Sequence, residues 1–202
     1  MTREREAELI AAVLDGDADS FEPLVLEYQK KIYNLALRMT GDDDDAFDCA
    51  QDAFVKAFVS LKDFRGESAF GSWLYRLACN VCLDFLRREK RRGVVSLTVE
   101  NEELDIADLR FLPEDELERT ELRDAINSAL SRLPATARQM IVMRDVSGLS
   151  YAEIGRMLDL ELGTVKSRIA RAREKLVKIL SEDETFRTRA ASKQRKEGKT
   201  HA

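Results

Sequence analysis

The residues best equipped for chemistry lie between 149 and 180. Over 164–180, Lys166, Arg168, Arg171, Arg173, Lys175 and Lys178 stand against a single acid, Glu174. Guanidinium and ammonium groups bind phosphates, and guanidinium also reads base edges. Val165, Ile169, Ala172, Leu176 and Ile179 recur at helical spacing and form a seam that can seat this helix on a core. Just upstream, Leu149-Ser150-Tyr151-Ala152-Glu153-Ile154-Gly155 reads as a short helix, and Gly163-Thr164-Val165-Lys166-Ser167-Arg168 opens the second after a tight connection. A helix with one apolar edge and an otherwise cationic surface suits the DNA major groove, with the first helix bracing it across the backbone. A solvated basic helix would account for the charges alone, but not for the paired helices.

A second polar face runs through residues 76–92. Arg76, Asn80, Asp84, Arg87 and Arg88 fall away from an apolar stripe, and Lys90, Arg91 and Arg92 extend the charge. Phe64, Phe70, Trp73 and Tyr75 lie close by in sequence. Aromatics beside cations are what an unstacked single strand needs. Phe70 and Trp73 also sit on the apolar stripe, where a core role explains them equally well. Cys79-x-x-Cys82 has no second cysteine pair, and the only histidine is His201, so a zinc site would lack ligands. Buried small hydrophobes are the better reading of both cysteines. No Gly-rich phosphate loop and no Ser/His/Asp set is visible, so no catalytic residue, cofactor or metal is expected.

The elements that must position these faces are helical. Three prolines and nine glycines in 202 residues, with many Ala, Leu, Arg and Glu, favour helix throughout. No run alternates apolar and polar residues with turn chemistry on both sides, so the expected class is all-α. A first module is expected over 5–92. Leu9, Ile10 and Val13 mark a short helix stopping near Gly16, and Asp19 with Glu22 fits a capping box ahead of Pro23. Phe21, Leu24, Val25, Tyr28, Ile32, Leu35, Ala36 and Met39 form one stripe. Phe47, Ala50, Phe54, Ala57, Phe58 and Leu61 form the next, and Phe70, Trp73, Leu74, Leu77, Ala78, Val81 and Phe85 the last. Such stripes close a helical bundle without any enzyme site.

Residues 93–116 are dominated by Glu100, Glu102, Glu103, Asp105, Asp108, Glu114, Asp115 and Glu116, and read as a flexible acidic linker. A second module follows over 117–181. Its first stripe is Leu117, Leu122, Ala125, Ile126, Ala129, Leu130 and Leu133, ended at Pro134. Its second is Met140, Ile141, Met143 and Val146, ended near Gly148. Residues 182–202 are polar and basic and read as a disordered tail. Net charge is −5, so the chain is not a globally basic nucleic-acid binder, and local charge decides where a polyanion binds. The opening Met1-Thr2-Arg3-Glu4-Arg5-Glu6 carries no apolar signal core and no run approaches transmembrane length. A cytoplasmic protein without membrane insertion is expected, and three cysteines fit a reducing compartment.

Three stretches together resemble the extracytoplasmic-function sigma factors, two-domain bacterial transcription initiation factors. Asp45-Ala46-Phe47-Asp48-Cys49-Ala50-Gln51-Asp52-Ala53-Phe54-Val55-Lys56-Ala57-Phe58 resembles that family's helix for the polymerase clamp. Phe64-Arg65-Gly66-Glu67-Ser68, Trp73-Leu74-Tyr75-Arg76 and Asn80 through Asp84 to Arg87-Arg88 resemble its minus-10 segment. The helix-turn-helix with Gly163-Thr164-Val165-Lys166-Ser167-Arg168 and Arg171-Ala172-Arg173 resembles its minus-35 segment. The resemblance implies a sigma domain 2 bundle and a sigma domain 4 helix-turn-helix, and a polymerase subunit rather than an enzyme. Asp48, Gln51 and Asp52 would face the clamp of the largest subunit of core RNA polymerase. Arg65, Ser68, Arg76, Asn80, Arg87 and Arg88 would meet the melted minus-10 strand, with the 64–68 loop and Asn80 holding a flipped base. Thr164, Lys166, Ser167, Arg168, Arg171 and Arg173 would meet minus-35 promoter DNA. An anti-sigma partner is common in the family.

The sequence also departs from the family pattern. Phe47 stands where an acid is usual, either as a core residue or as an altered clamp contact. Asp159 replaces a common glycine at the turn, which implies either a shifted turn or mild strain. Glu161 replaces a usual serine and forgoes a good cap. The competing reading is a one-component helix-turn-helix regulator acting without polymerase. It leaves the acidic helix and the basic face at 76–92 unexplained. A sigma mimic binding polymerase without DNA would not need the cationic helices.

Overall fold

The computed structural model describes residues 1–66, 68–93 and 125–182, and these are helical with no strand. The acidic linker and basic tail expected from sequence lie outside the described residues, apart from their first one or two positions, as do Leu117 and Leu122.

The first module holds α1 (Arg3–Leu14), α2 (Glu22–Thr40), α3 (Asp43–Val59) and α4 (Phe70–Gly93). Thr2 caps α1 by accepting from the Arg5 amide. The expected Asp19/Glu22 capping box does not form. A 3-10 turn over Ala18–Phe21 leads straight into α2, so Asp19 never takes the extended backbone a cap requires. Gly41 ends α2 in the left-handed region at φ 89°. Asp42 caps α3 by accepting from the Asp45 amide at 2.9 Å, and Asp43, Asp44 and Asp45 load its first turn with negative charge.

The α2 and α4 stripes lie in the core much as their periodicity predicts. The α3 stripe does so only in part. Ala50, Ala57 and Leu61 are buried and Phe54 is half-buried, but Phe47 is 56% and Phe58 43% exposed. The buried residues of α3 are Ala46, Cys49, Ala50, Ala53 and Ala57, five small side chains that pack it against α2 and α4 and leave Phe47 and Phe58 turned outward. Cys49, Cys79 and Cys82 are buried free thiols. Burial pushes Cys79 up to about 12, and Cys82 is raised by its hydrogen bond with Cys49, so both stay protonated at neutral pH.

The second module holds α5 (helical over 125–131), α6 (Ala135–Ile141), α7 (Tyr151–Leu158) and α8 (Leu162–Glu182). The chain leaves α6 through a wider π turn over Val142–Val146, where the Ser147 amide reaches the Val142 carbonyl at 2.8 Å. Val146, expected in the core, is 44% exposed because this turn rotates it outward, and Val142 is buried instead. The buried apolar residues of the two modules form one continuous cluster, with α4 against α6 and α7 and α2 against α6 and the π turn. Arg138 is buried between them and donates to the carbonyls of Met39, Ser131 and Leu133. Burial lowers its pKa, and its charge is met by the carbonyl end of α2 rather than by a carboxylate.

Candidate nucleic-acid interface

α8 is seated by Val165, Ile169 and Ala172, each at most 2% exposed, with Leu176 and Ile179 half-buried behind them. Lys166, Ser167, Arg168, Arg171, Arg173, Lys175 and Lys178 are exposed, and Thr164 is half-buried at the start of the helix. The cationic surface and the apolar seam therefore sit where the spacing predicts. Arg168, Arg171 and Lys175 rim a concavity floored by Met140, Leu158, Leu160 and Ala172, and the amide nitrogen of Gln139, which also lines it, is buried without a protein partner. Ser167 Oγ donates back to the Thr164 carbonyl at 3.0 Å.

α7 braces α8 at close quarters. Ser150 and Glu153 form a reciprocal capping box, with the Ser150 amide donating to Glu153 at 2.8 Å and the Glu153 amide donating to Ser150 Oγ at 3.2 Å. Ser150 Oγ also donates to the Glu153 carboxylate at 2.6 Å, and this bond together with that from the Ser150 amide holds the carboxyl below its ordinary value. Asp159 ends α7 in the left-handed region at φ 52°, the only non-glycine there among the described residues. The turn keeps its place with Asp in the glycine position, at the conformational cost the sequence predicts. A Cβ on Gly155 would stand 2.8 Å from the Leu160 carbonyl oxygen, so the crossing of the two helices demands glycine. Arg144 stacks over Tyr151 at 4.6 Å and donates to the Leu149 carbonyl at 2.8 Å.

Arg173 differs from its neighbours. It donates through two nitrogens to the Asp145 carboxylate on the π turn, yet keeps nearly half its side chain exposed. This pair ties α8 to the preceding segment and raises the Arg173 pKa.

In the first module, Phe64, Phe70 and Trp73 stack together, with ring centroids 5.3–5.8 Å apart, and Tyr28 meets Phe70 at 5.7 Å. Phe70 and Trp73 are thus core residues. Arg65, Ser68 and Arg76 come together with Phe64 and Trp73 around a cavity of about 310 Å³. Asn80 is exposed and lies outside it, one turn along α4. Arg87 and Arg88 lie about 16 Å beyond Arg76 at helical rise. Arg87 pairs with Asp84 at 3.1 Å. Sequence reasoning missed that Glu153, Arg156 and Met157 of α7 complete the cavity wall, with Ser72 Oγ donating to Glu153 at 3.3 Å. The Ser150-x-x-Glu153 spacing signals the capping box, but nothing local signals the partner across the modules.

Asp48, Gln51 and Asp52 are exposed on α3. At helical spacing Asp48 lies opposite the buried alanine stripe, and Asp52 lies across the helix from Phe54. Phe47, Gln51 and Phe54 line a groove with Val25, Lys30 and Tyr33. Tyr33 donates to Asp43, which pushes its phenol up to about 12. Phe47 is therefore a surface residue and not the core residue that the sequence allowed.

Comparison with known proteins agrees with this geometry. Residues 24–92 match the family described as Sigma-70 region 2, and residues 123–176 match Sigma-70, region 4. The chain is 40% identical to the RNA polymerase sigma-H factor of Pseudomonas aeruginosa, over 89% of this chain and 96% of that protein. It is 38% identical to the ECF RNA polymerase sigma factor SigW of Bacillus subtilis, over 85% and 94% respectively. The sigma factor RpoE of Bartonella quintana, solved in complex with the anti-sigma factor NepR, superposes with a TM-score of 0.62 at 25% identity, covering 81% of this chain and 98% of that one. A stand-alone helix-turn-helix regulator would not carry the region 2 match. With both regions matched in order and a bundle and helix-turn-helix to house them, the chain belongs to the extracytoplasmic-function sigma factors of bacterial RNA polymerase.

Proposed function

We propose that three surfaces divide the work of promoter-specific initiation. α8 reads the minus-35 element through Thr164, Lys166, Ser167, Arg168 and Arg171, with Arg173 contributing less because Asp145 holds its guanidinium. Arg65, Ser68, Arg76, Asn80, Arg87 and Arg88 meet the minus-10 strand, the first three around a cavity with room for a base and the others along α4. Asp48, Gln51 and Asp52, together with the Phe47 groove, dock on the clamp of the largest polymerase subunit. The protein acts in the cytoplasm as a subunit and catalyses no reaction itself. Among the described residues no helix is long and apolar enough to cross a membrane. An anti-sigma factor is a further partner, in line with the complex of the Bartonella relative.

The observation that carries this reading is the exposed cationic face of α8 on a fully buried seam. Holoenzyme binding to promoter variants across a salt series tests it. Alanine at a phosphate contact lowers the salt slope by about one and weakens all sequences alike. Alanine at a base-reading residue costs about 1–3 kcal/mol and relaxes preference at one position. We assign Arg171 the base-reading role and Arg168 and Lys166 the phosphates. If alanine at all three leaves minus-35 dependence intact, α8 is not the reading helix.

A further inference from the structure

The concavity beside α8 holds more than a promoter needs. Arg168, Arg171 and Lys175 recur at helical spacing along the edge of α8 that faces α6, while Lys166 and Arg173 fall on the opposite edge. Between that edge and α6 lies a space of about 520 Å³, within the size range of small-molecule sites. Its floor is apolar, with Met140 of α6, Leu158 at the end of α7 and Leu160 of the turn. Among the described residues no carboxylate lines it, whereas Asp63 and Glu153 line the minus-10 cavity. A DNA duplex meets the outer surface of a recognition helix, and its stacked bases stay within the groove. Its phosphates use the cations and leave the apolar floor bare.

Gln139 leaves a hydrogen bond unmade at the wall of this space. It is 5% exposed, and its amide nitrogen has no acceptor in the protein. Burying an unmet donor costs its hydration. An occupant with an acceptor at its buried end recovers that cost, and the broad last torsion of glutamine lets the carboxamide turn to meet it. The fitting occupant therefore carries an anion at the rim, an apolar body over the floor and a hydrogen-bonding edge at Gln139. Free phosphate lacks the apolar body. A fatty acid lacks an acceptor at its buried end. An adenine nucleotide has all three, since guanidinium groups take phosphate and a glutamine carboxamide pairs with adenine through N6 and N7.

We propose that this concavity is a site for an adenine nucleotide, with phosphates at Arg168, Arg171 and Lys175 and the base over Met140, Leu158 and Leu160 against Gln139. Because Arg168 and Arg171 also serve the minus-35 surface, bound nucleotide and promoter exclude each other. The exclusion rests on the α8 assignment above, and the site itself does not.

Calorimetric titration of the full-length chain with ADP tests this, with adenosine and inorganic phosphate in parallel. ADP should saturate one site per chain, and adenosine and phosphate should each bind at least tenfold more weakly. Gln139→Leu keeps the side chain's bulk and should lower ADP affinity at least tenfold, while the holoenzyme still binds promoter normally. No saturable binding, phosphate as tight as ADP, or a Gln139→Leu chain that binds ADP unchanged overturns the proposal. An NMR titration of the unmodified chain needs no substitution: ADP should shift the amides of Met140, Leu158 and Leu160, and shifts confined to the first module would refute the site. Saturating ADP should also lower holoenzyme affinity for a minus-35 promoter fragment at least tenfold. ADP binding at these residues without that loss upholds the site and overturns the exclusion. Failure of α8 as the reading helix shows without nucleotide, when Arg168→Ala with Arg171→Ala leaves minus-35 dependence intact.

Discussion

α3 and α8 are both amphipathic helices on the surface of their modules, and they bury opposite kinds of residue. α8 buries Val165, Ile169 and Ala172 and shows its cations. α3 buries four alanines and a cysteine and shows Phe47 and Phe58. The difference lies in the size of the buried side chains. Valine and isoleucine, with one alanine, seat α8, whereas α3 packs on α2 and α4 through a face of alanines and one cysteine. What is left outside then differs as well. α8 presents charge for a polyanion. α3 presents an apolar groove with acids alongside, which suits a protein partner.

The contrast can be broken most forcefully at the seam. Ile169→Ala should cost the second module about 2–5 kcal/mol, read from denaturant unfolding, because it empties a site only 1% exposed. In α3 the logic inverts. Ala53→Leu should destabilise by about 1–3 kcal/mol through overpacking. Phe47→Ala should change stability by no more than about 0.5 kcal/mol, yet weaken core polymerase binding about tenfold, or about 1.4 kcal/mol. If Phe47→Ala unfolds the module while Ala53→Leu is tolerated, the two faces have been exchanged.

Much of this was legible in the sequence. The α8 seam and its cations and the end of α2 at Gly41 follow from period, glycine position and residue type, while the sequence leaves the core roles of Phe70 and Trp73 open beside a single-strand role. The α3 stripe was right at Ala50, Ala57 and Leu61 and wrong at Phe47 and Phe58, for a physical reason. The buried face is centred on Ala46, Ala50, Ala53 and Ala57, and hydrophobic weight pulls the expected face toward the phenylalanines instead. The Asp19/Glu22 box failed because the backbone there already turns as a 3-10 helix. Arg138 and Glu153 could not be placed from sequence, since their partners Met39 and Ser72 are 99 and 81 residues away.

Smaller effects sharpen the picture of the helix-turn-helix. Asp159→Gly should raise the stability of the second module by about 0.5–1 kcal/mol, because glycine takes φ 52° without a Cβ clash. A shift in thermal midpoint reads this directly. Glu153 adds a pH signature. Its folded pKa lies below the ordinary 4.5, so its contribution is complete above that value and fades as pH falls below it. Glu153→Gln should remove that acid-side slope, and an unchanged slope would place its source elsewhere.

The account stands most directly on transcription itself. Core polymerase with this chain should initiate from a subset of a genomic promoter pool sharing two conserved blocks at minus-35 and minus-10. Arg168→Ala with Arg171→Ala should weaken promoter binding and relax dependence on the upstream block while core binding persists. Initiation no different from core polymerase alone, or an upstream block that matters equally to both proteins, would contradict it.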